Sequence, residues 1–462
     1  MKKLLNYART EMQIDNNYIE KWDNIKGRIK RVSINFSKEE RWKEKQEEQN
    51  IRKKLEEELI LLDNQRSRDC GKYELYKNQL NIIERKKCKG AAIRCRFQNL
   101  VEGEKCTGFF LGLEKQKQKK TIIEELKDKD NNIHKDKIKI LEIITEYYKN
   151  LYKKEGSDKR KTEEIIAYID RKINKEDKMW CDSKLTINEI ENAIKNLNKN
   201  KSPGSDGLTA DFYMAFSEQM APLLLDLYQA IQDNKRTPES LTKGIITLIY
   251  KNKGDRNNIS NYRPISLLNT DYKILTKTLA NRLKQTLNQV ISTNQAYSIP
   301  NRDIQDSIHT IRDTVRGMKA QGGQLLTIDL EKAFDRVEHN FLFKVLGKMG
   351  YGEGFIEWVK LLYTDARSVI KCNGFLTDSF RIGRSVRQGC PLSALLYSIV
   401  TEPLAQAILQ DKHILGINTP ANRTVKITQY ADDITITVKS GELYRQNIRP
   451  LQNIQCSIRS QN

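Results

Sequence analysis

The sequence predicts a protein of the α+β class, in which a mainly helical, charged N-terminal region precedes a region that mixes helices and strands. Residues 1–175 are rich in lysine, glutamate and glutamine, and residues 41–62 carry apolar and oppositely charged side chains at helical spacing. Beyond residue 176 the composition changes, and short β-branched runs typical of strands occur between longer amphipathic segments. We therefore expect a basic helical extension over residues 1–175 and a separate mixed region after it.

The charge balance is the strongest global signal. The 462 residues include 81 Lys and Arg against 60 Asp and Glu, which gives a formal net charge of +21. Such an excess favours a polyanionic partner, and nucleic acid is the commonest one. The sequence has no apolar run of membrane-spanning length and no secretory signal at its N-terminus. We expect an intracellular protein, nuclear or cytoplasmic, that binds nucleic acid and not a membrane.

Eight cysteines in a chain of this size do not form the dense pattern of a disulfide framework. We expect reduced thiols, with a structural zinc site as the less favoured alternative.

Basic residues cluster in the second half of the N-terminal region, with little acid beside them in the sequence. Such a cluster suits contacts with phosphate groups, whereas a solvated charged helix is the alternative. Its members are Arg85, Lys86, Lys87, Lys89, Arg94 and Arg96.

A helix, a breaker and a second helix are predicted between residues 185 and 216, with dense turn chemistry at residues 202–207. The apolar run at residues 244–250 then predicts a buried strand, and Lys251 and Arg263 follow it in a polar loop. Arginine and lysine in such a place can clamp a triphosphate, arginine by its fork and lysine as a point charge. A solvated basic loop is the alternative.

Another apolar strand is predicted at residues 324–330, with Asp329 near its end. A carboxylate buried there would be costly without a partner or a metal ion. Residues 331–349 continue the apolar spacing of a helix, with Phe334 on its apolar stripe.

Two short strands are predicted between residues 367 and 384 around Asn373 and Gly374, a strong hairpin signal. Pro391 can open a helix, and residues 392–408 are apolar enough for that helix to pack beneath a sheet.

Residues 424–438 predict a strand, a tight turn and a second strand, with Asp432 and Asp433 at the turn. Adjacent side chains in a regular strand point to opposite faces, but a turn relaxes that limit. Two carboxylates on a rigid hairpin suit a hard cation such as Mg²⁺. Taken alone, an ordinary aspartate-rich turn is the better explanation of these two residues.

Asp329 favours the metal site over the ordinary turn, because a carboxylate on another strand can complete the site. Together with Asp432 and Asp433 it supplies the carboxylates of a two-metal nucleotidyl-transfer site. We predict two Mg²⁺ ions, with Mn²⁺ as an alternative, about 3.5 to 4 Å apart. Asp329 and Asp432 are the predicted ligands, and Asp433 is predicted to support them.

Six segments of the chain occur in the order and with the residues of a known family. They are KSPGSDGLTADFY, LIYKNKGDRNNISNYRPISLL, NQAYSIPNRDIQDSI, LLTIDLEKAFDRVEH, SVRQGCPLSALLYSIV and QYADD, within residues 185–438. In these segments the sequence resembles the reverse transcriptases of long-interspersed-element-type retrotransposons, which lack long terminal repeats.

The resemblance implies a right-hand polymerase with fingers at residues 176–323 and a palm at residues 324–440. It implies RNA-directed DNA synthesis from an RNA template, a DNA primer and dNTPs. It further implies triphosphate contacts from Lys251 and Arg263, a nucleotide-pocket role for Gln388 and Gly389, and sugar discrimination by Phe334.

The sequence also departs from this family. Family members begin with an endonuclease and continue past the acidic hairpin into a lysine-bearing motif, a primer-gripping hairpin and a thumb, and residues 441–462 match none of these. We expect a fragment with a truncated tail whose polymerase chemistry is impaired. The alternative is a non-catalytic, nucleic-acid-binding remnant of such an element.

Overall fold

The computed structural model describes residues 1–15, 17–63, 70–95, 122–156 and 158–439. The chain divides into two compact units, of which the first holds Met1 and Asn24–Glu124 and the second holds Lys2–Asp23 and the chain from Glu125 onward. The expected division into extension, fingers and palm stays a prediction. The tail expected at residues 441–462 lies outside the described residues.

The first unit is helical where it is described. Most of α2 (Tyr18–Asp63) and all of α3 (Gly71–Cys95) belong to it. The helix predicted at residues 41–62 is confirmed as part of α2. Ion pairs join the two helices, among them one from Arg52 on α2 to Glu84 on α3 at 3.3 Å.

The second unit mixes helices and strands, as the predicted α+β class requires. Its longer helices carry buried apolar faces. Its helices are α1 (Lys2–Asp15), α4 (Lys137–Leu151), α5 (Lys159–Ala167), α6 (Lys175–Asp182), α7 (Ile187–Lys195), α8 (Ala210–Ala215), α9 (Ser217–Asn234), α10 (Glu239–Thr242), α11 (Thr270–Val290), α12 (Ile304–Gln321), α13 (His339–Lys348), α14 (Glu353–Tyr363) and α15 (Ser393–Gln410). No described helix combines the length and the apolar character needed to cross a membrane.

The larger sheet of this unit contains the strand predicted at residues 244–250. The bounds are β3 (Lys243–Tyr250), β4 (Tyr262–Leu268), β6 (Arg367–Cys372), β7 (Phe375–Leu376) and β8 (Phe380–Arg381), in the order β4-β3-β6-β7 with β8 also on β6. Strand β3 is antiparallel to β4 and parallel to β6. Its predicted burial is only partly correct, because its side chains alternate between a covered and an open face and Ile249 is 53% exposed.

A second sheet has three strands in the order β11-β12-β5. They are β5 (Gln324–Asp329), β11 (Ile427–Tyr430) and β12 (Asp433–Val438), and β12 pairs antiparallel with both neighbours. The predicted acidic hairpin is therefore confirmed as β11, a turn and β12. Two small ladders complete the described strands, β1 (Leu126–Lys127) with β2 (Ile133–His134) and β9 (Ile417–Asn418) with β10 (Thr424–Val425).

The helix predicted over residues 331–349 is wrong in its first half. A short 3₁₀ helix occupies Ala333–Arg336, and α13 begins only at His339. Lys332 has a left-handed backbone with φ of 52°, which interrupts a helix that starts earlier. The amide of Val386 also donates to the carbonyl of Phe334 at 2.9 Å. This long-range bond ties the segment to the loop before α15.

Two other local predictions, the hairpin turn and the helix after Pro391, are confirmed. Asn373 and Gly374 form the turn between β6 and β7 with φ of 51° and 89°, which are the left-handed values that a tight hairpin turn uses. Helix α15 follows Pro391 and is buried along most of its length. The described cysteines Cys70, Cys88, Cys181, Cys372 and Cys390 are free thiols.

Candidate active site

The acidic end of the three-stranded sheet brings the predicted aspartates together. Asp433, the first residue of β12, is paired directly with Asp329, the last residue of β5. Directly opposite residues in an antiparallel pair have Cβ atoms about 5 Å apart. Asp432 lies in the preceding turn after Ala431, whose left-handed φ of 57° redirects the chain. The turn is held to the rest of the unit by a bond from the Ala431 amide to Gln295 Oε1 at 3.3 Å.

The three carboxylates repel one another where they meet. Burial raises the pKa of Asp432, and the charges of Asp433 and Asp329 raise it further. A backbone hydrogen bond and the nearby Arg263 guanidinium oppose these effects. Like charges held this close are destabilising unless a cation is shared between them.

Asp329 is exposed, so the desolvation argument that selected it from the sequence is wrong. Its strand β5 lies at the edge of the sheet, and Asp329 lines a cavity. The physical feature that remains is its charge beside Asp432, because that charge helps to raise the pKa of Asp432.

The donor set at this end is compatible with Mg²⁺. Among the described residues, no group of three or more His, Cys, Asp or Glu side chains is arranged so that it could hold a metal ion. Mg²⁺, however, is usually bound by one or two carboxylates together with waters and substrate phosphates. Asp329 and Asp432 provide two such carboxylates.

A cavity of about 850 Å³ opens next to the aspartates. Most of the residues predicted for catalysis and nucleotide binding line it, whereas Asp433 is not among its lining residues. Those that do are Lys251, Arg263, Asp329, Phe334, Gln388, Gly389 and Asp432. One cavity thus contains carboxylates, cations and an aromatic ring that are up to 181 positions apart in the sequence, from Lys251 to Asp432.

The basic side of the cavity is built by the β3–β4 hairpin. Lys251 follows β3, and its ammonium donates to the carbonyl of Ser260 at 3.2 Å. Arg263 is exposed on β4, and its charge acts on Asp432. Lys251 and Arg263 thus place two basic side chains in the wall of the same cavity as the aspartates.

Phe334 lines the same cavity and is held by two tyrosine rings. Its ring stacks on Tyr397 with centroids 4.4 Å apart and an interplanar angle of 11°. Tyr297 meets the same ring edge-on at 6.4 Å. Since Phe334 is on a 3₁₀ turn that faces the cavity, the predicted placement on a helical core stripe is wrong.

Gln388 and Gly389 form a fixed corner of the cavity. The amide of Ser266 on β4 donates to the carbonyl of Gln388 at 2.9 Å. Gly389 has a φ of 108°, and a Cβ there would lie 2.7 Å from the carbonyl oxygen of Ser266. Glycine is therefore required by both the conformation and the close approach.

Several cavity residues were missed from the sequence. Tyr147, Tyr148 and Leu151 of α4 line it, as do Lys332 and Asp335. Lys332 hydrogen-bonds the hydroxyl of Tyr147, and burial lowers the pKa of its ammonium. No spacing signal links α4 to a strand nearly two hundred residues later. The charged residues within AFDR (Ala333–Arg336) were the available signal, because they are unusual on the apolar face of a helix.

The predicted nucleic-acid-binding cluster lies on α3 in the first unit. Arg85, Lys86, Lys87 and Lys89 are exposed there. The structure corrects the expectation of little nearby acid, because Lys86 pairs with Glu44 and Lys87 with Glu48 on α2. Arg94 is on α3, and Arg96 lies outside the described residues.

Sequence comparison relates the segment that contains Lys251 to Asp432 to known proteins. Residues 249–457 match the family described as reverse transcriptase (RNA-dependent DNA polymerase). The Transposon TX1 uncharacterized 149 kDa protein of Xenopus laevis is 33% identical over 368 residues, which cover 79% of this chain and 28% of that protein.

Two proteins of Drosophila melanogaster are also similar. The probable RNA-directed DNA polymerase from transposon BS is 26% identical over 56% of this chain and 28% of its own length. The RNA-directed DNA polymerase from mobile element jockey is 23% identical, again over 56% of this chain and 28% of its own length. The chain thus spans under a third of each of these relatives.

Proposed function

We propose that this chain, which carries a reverse transcriptase domain similar to those of retrotransposons without long terminal repeats, is an RNA-directed DNA polymerase. It would add a dNTP to the 3′-hydroxyl of a DNA primer on an RNA template. The observation that carries the proposal is the single cavity that joins Asp329 and Asp432 to Lys251, Arg263 and Phe334.

Each side of the cavity has a distinct task in this reaction. Asp329 and Asp432 would hold divalent cations, which would supply positive charge to the attacking hydroxyl and to the departing pyrophosphate. Asp433 would support them from its position opposite Asp329. Lys251 and Arg263 would bind the triphosphate, as a point charge and as a fork respectively. Their positive charge offsets the negative charge that develops on the leaving group.

The rest of the cavity would orient the nucleotide. Phe334 would lie against the sugar, where a ring leaves no room for a 2′-hydroxyl. Gln388 and Gly389 would form the wall beside the base and sugar, since their backbone is fixed on β4. Such positioning matters because a displacement of about 1 Å can cost ~100-fold in rate.

The test is Mg²⁺-dependent extension of a DNA primer on an RNA template. We expect the chain to incorporate dNTPs and the Asp432→Ala/Asp433→Ala variant to lose at least ~100-fold of that rate. Asp378→Ala is the control, because Asp378 is an exposed aspartate that is not among the residues lining the cavity.

The competing function is nucleic-acid binding without catalysis. Primer–template binding with no incorporation above the level of the double variant would favour it over the polymerase. Incorporation that survives the double substitution would reject the assigned aspartates.

A further inference from the structure

A buried carboxylate outside the predicted set lies in the wall of the same cavity. Asp335, on the 3₁₀ turn after Phe334, is only 3% exposed and lines the cavity. Its Oδ1 accepts a hydrogen bond from the hydroxyl of Tyr152 at 3.1 Å. Gln388 Nε2 donates to Oδ1 and Oδ2 at 3.4 and 3.3 Å. A buried carboxylate with these donors is a built feature of the site, since burying a charge is costly without hydrogen bonds.

The backbone around this carboxylate is held in place from both sides. Tyr152 follows α4, and its carbonyl accepts from the amide of Gly383 at 2.8 Å. The Arg384 guanidinium donates to the carbonyl of Leu151 at 2.7 Å and pairs with Glu155. The segment that carries Tyr152 is therefore fixed to the loop that carries Gln388.

An ionised carboxylate can only accept hydrogen bonds, which decides the orientation of the Gln388 amide. The NH₂ group must face Asp335, so the amide oxygen faces away from it. Gln388 is half-buried and lines the cavity, which leaves that oxygen available as an acceptor for a donor group on a bound nucleotide.

We infer that Asp335, supported by the Tyr152 hydroxyl, is a positioning residue that fixes the Gln388 amide for nucleotide recognition. Asp335 acts through Gln388 and touches neither the reacting atoms nor the metal ligands. This inference rests on the proposed function, because it names a determinant of dNTP binding in the same cavity.

The charge of Asp335 gives the arrangement a pH dependence. Burial raises the pKa of Asp335 to about 6, against the opposing effects of its hydrogen bonds and of two lysines. A proton gained below that pH would remove the requirement that the Gln388 NH₂ group face Asp335. The titratable groups that interact with Asp335 are Lys251, Lys332, Tyr147, Tyr148 and Tyr152.

The test is a double-mutant cycle on single-nucleotide incorporation. Asp335→Asn can present an NH₂ group to Gln388, and we expect it to raise KM for dNTP about 10-fold with kcat changed less than ~2-fold. In the Gln388→Ala background the same substitution should have no further effect on KM. Additive effects of the two substitutions, or a loss confined to kcat, would overturn the inference.

Tyr152→Phe keeps the buried ring and removes only the supporting hydroxyl, so KM should rise by a smaller factor. Tyr213→Phe is its matched control, since Tyr213 is also fully buried and its hydroxyl has no hydrogen-bond partner among the described residues. In the parent chain KM should rise as pH falls through about 6. Asp335→Asn should abolish this rise in KM. A rise that persists in Asp335→Asn would show that another group causes it.

A second readout separates this inference from the proposed function. The dissociation constant for dNTP is measured on the complex of the full chain with an RNA template and a primer that ends in a dideoxynucleotide. If the chain binds dNTP but never extends a primer, the polymerase proposal fails. The double-mutant cycle can then be measured on the dissociation constants for dNTP, so the role of Asp335 is still tested. Absence of dNTP binding by the parent chain would overturn both.

Discussion

Phe334 shows how a residue acquires its candidate role from its immediate neighbours. Its ring is supported from behind by the stacked ring of Tyr397 and from the side by Tyr297. Stacked and edge-on aromatic contacts of this kind stabilise the pair by about 0.5 to 1.5 kcal/mol beyond burial. A ring held in this way presents a fixed face to the cavity, which suits selection by shape.

We predict that Phe334→Ala relaxes the choice of sugar. Removing the ring opens space beside the sugar, so incorporation of a ribonucleotide relative to the matching deoxynucleotide should rise at least ~10-fold, a difference of about 1.4 kcal/mol in transition-state binding. The ratio of kcat/KM for the two nucleotides measures this. Phe375→Ala removes an exposed ring that is not among the residues lining the cavity, and it should leave the ratio unchanged.

An unchanged ratio in a Phe334→Ala chain that retains its melting temperature would show that the ring is only a packing residue. Loss of folding would also support the packing interpretation, because deletion of a core aromatic side chain typically lowers the free energy of unfolding by about 3 to 5 kcal/mol.

At the scale of elements, α2 and α3 determine how much of the basic cluster is available to a polyanion. Lys86 and Lys87 already pair with Glu44 and Glu48. No acidic partner of Arg85 or Lys89 is found within ion-pair distance in the described part of the chain. The four residues are close in sequence and exposed, so their pairing is the main difference between them.

Two double substitutions on α3 should therefore differ in their effect on RNA binding. Arg85→Gln/Lys89→Gln should reduce the slope of log K against log salt by roughly 1 to 1.5, since each lost phosphate contact on a single strand is worth ~0.7. Lys86→Gln/Lys87→Gln removes the same charge but should change the slope less. Equal changes would contradict the pairing argument, and two unchanged slopes would assign the cluster to a solvated face.

The sequence predicted those elements whose causes are local. The β6–β7 turn follows from Asn373 and Gly374, and the acidic hairpin follows from alternating residues on either side of Asp432 and Asp433. Residues 331–338 were predicted wrongly because contacts distant in sequence determine their path. The Val386 amide donates a hydrogen bond to the Phe334 carbonyl, which keeps these residues from forming a regular helix. Local sequence spacing does not predict this long-range bond.

The candidate site was predictable to a similar extent. Asp329, Asp432, Lys251, Arg263, Phe334, Gln388 and Gly389 were selected by motif, and the same cavity contains them. Tyr152 and Asp335 were not selected, because an apolar stripe identifies a buried helix face without identifying its partner. Their hydrogen bond joins residues 183 positions apart.

At the scale of the whole molecule, the net charge of +21 and the three sheet-end aspartates serve opposite purposes. A basic excess of this size favours polyanionic partners, whereas the aspartates concentrate negative charge at one point. Binding and catalysis should therefore depend on different residues. In the productive complex, cations shared by the aspartates would reduce the repulsion between these carboxylates and the phosphates of the nucleic acid.

We predict that Asp432→Ala/Asp433→Ala separates the two properties. The substitution removes two negative charges, so the net charge rises from +21 to +23. RNA–DNA duplex binding in EDTA should then be unchanged or tighter, because fewer carboxylates repel the backbone. Primer extension in Mg²⁺ should be lost in the same preparation. Fluorescence anisotropy across a salt series measures the first property, with Asp378→Ala as the control for a change of surface charge alone. Weaker binding by the double variant in EDTA would mean that these aspartates maintain the binding surface itself, and the separation of binding from catalysis would then be wrong.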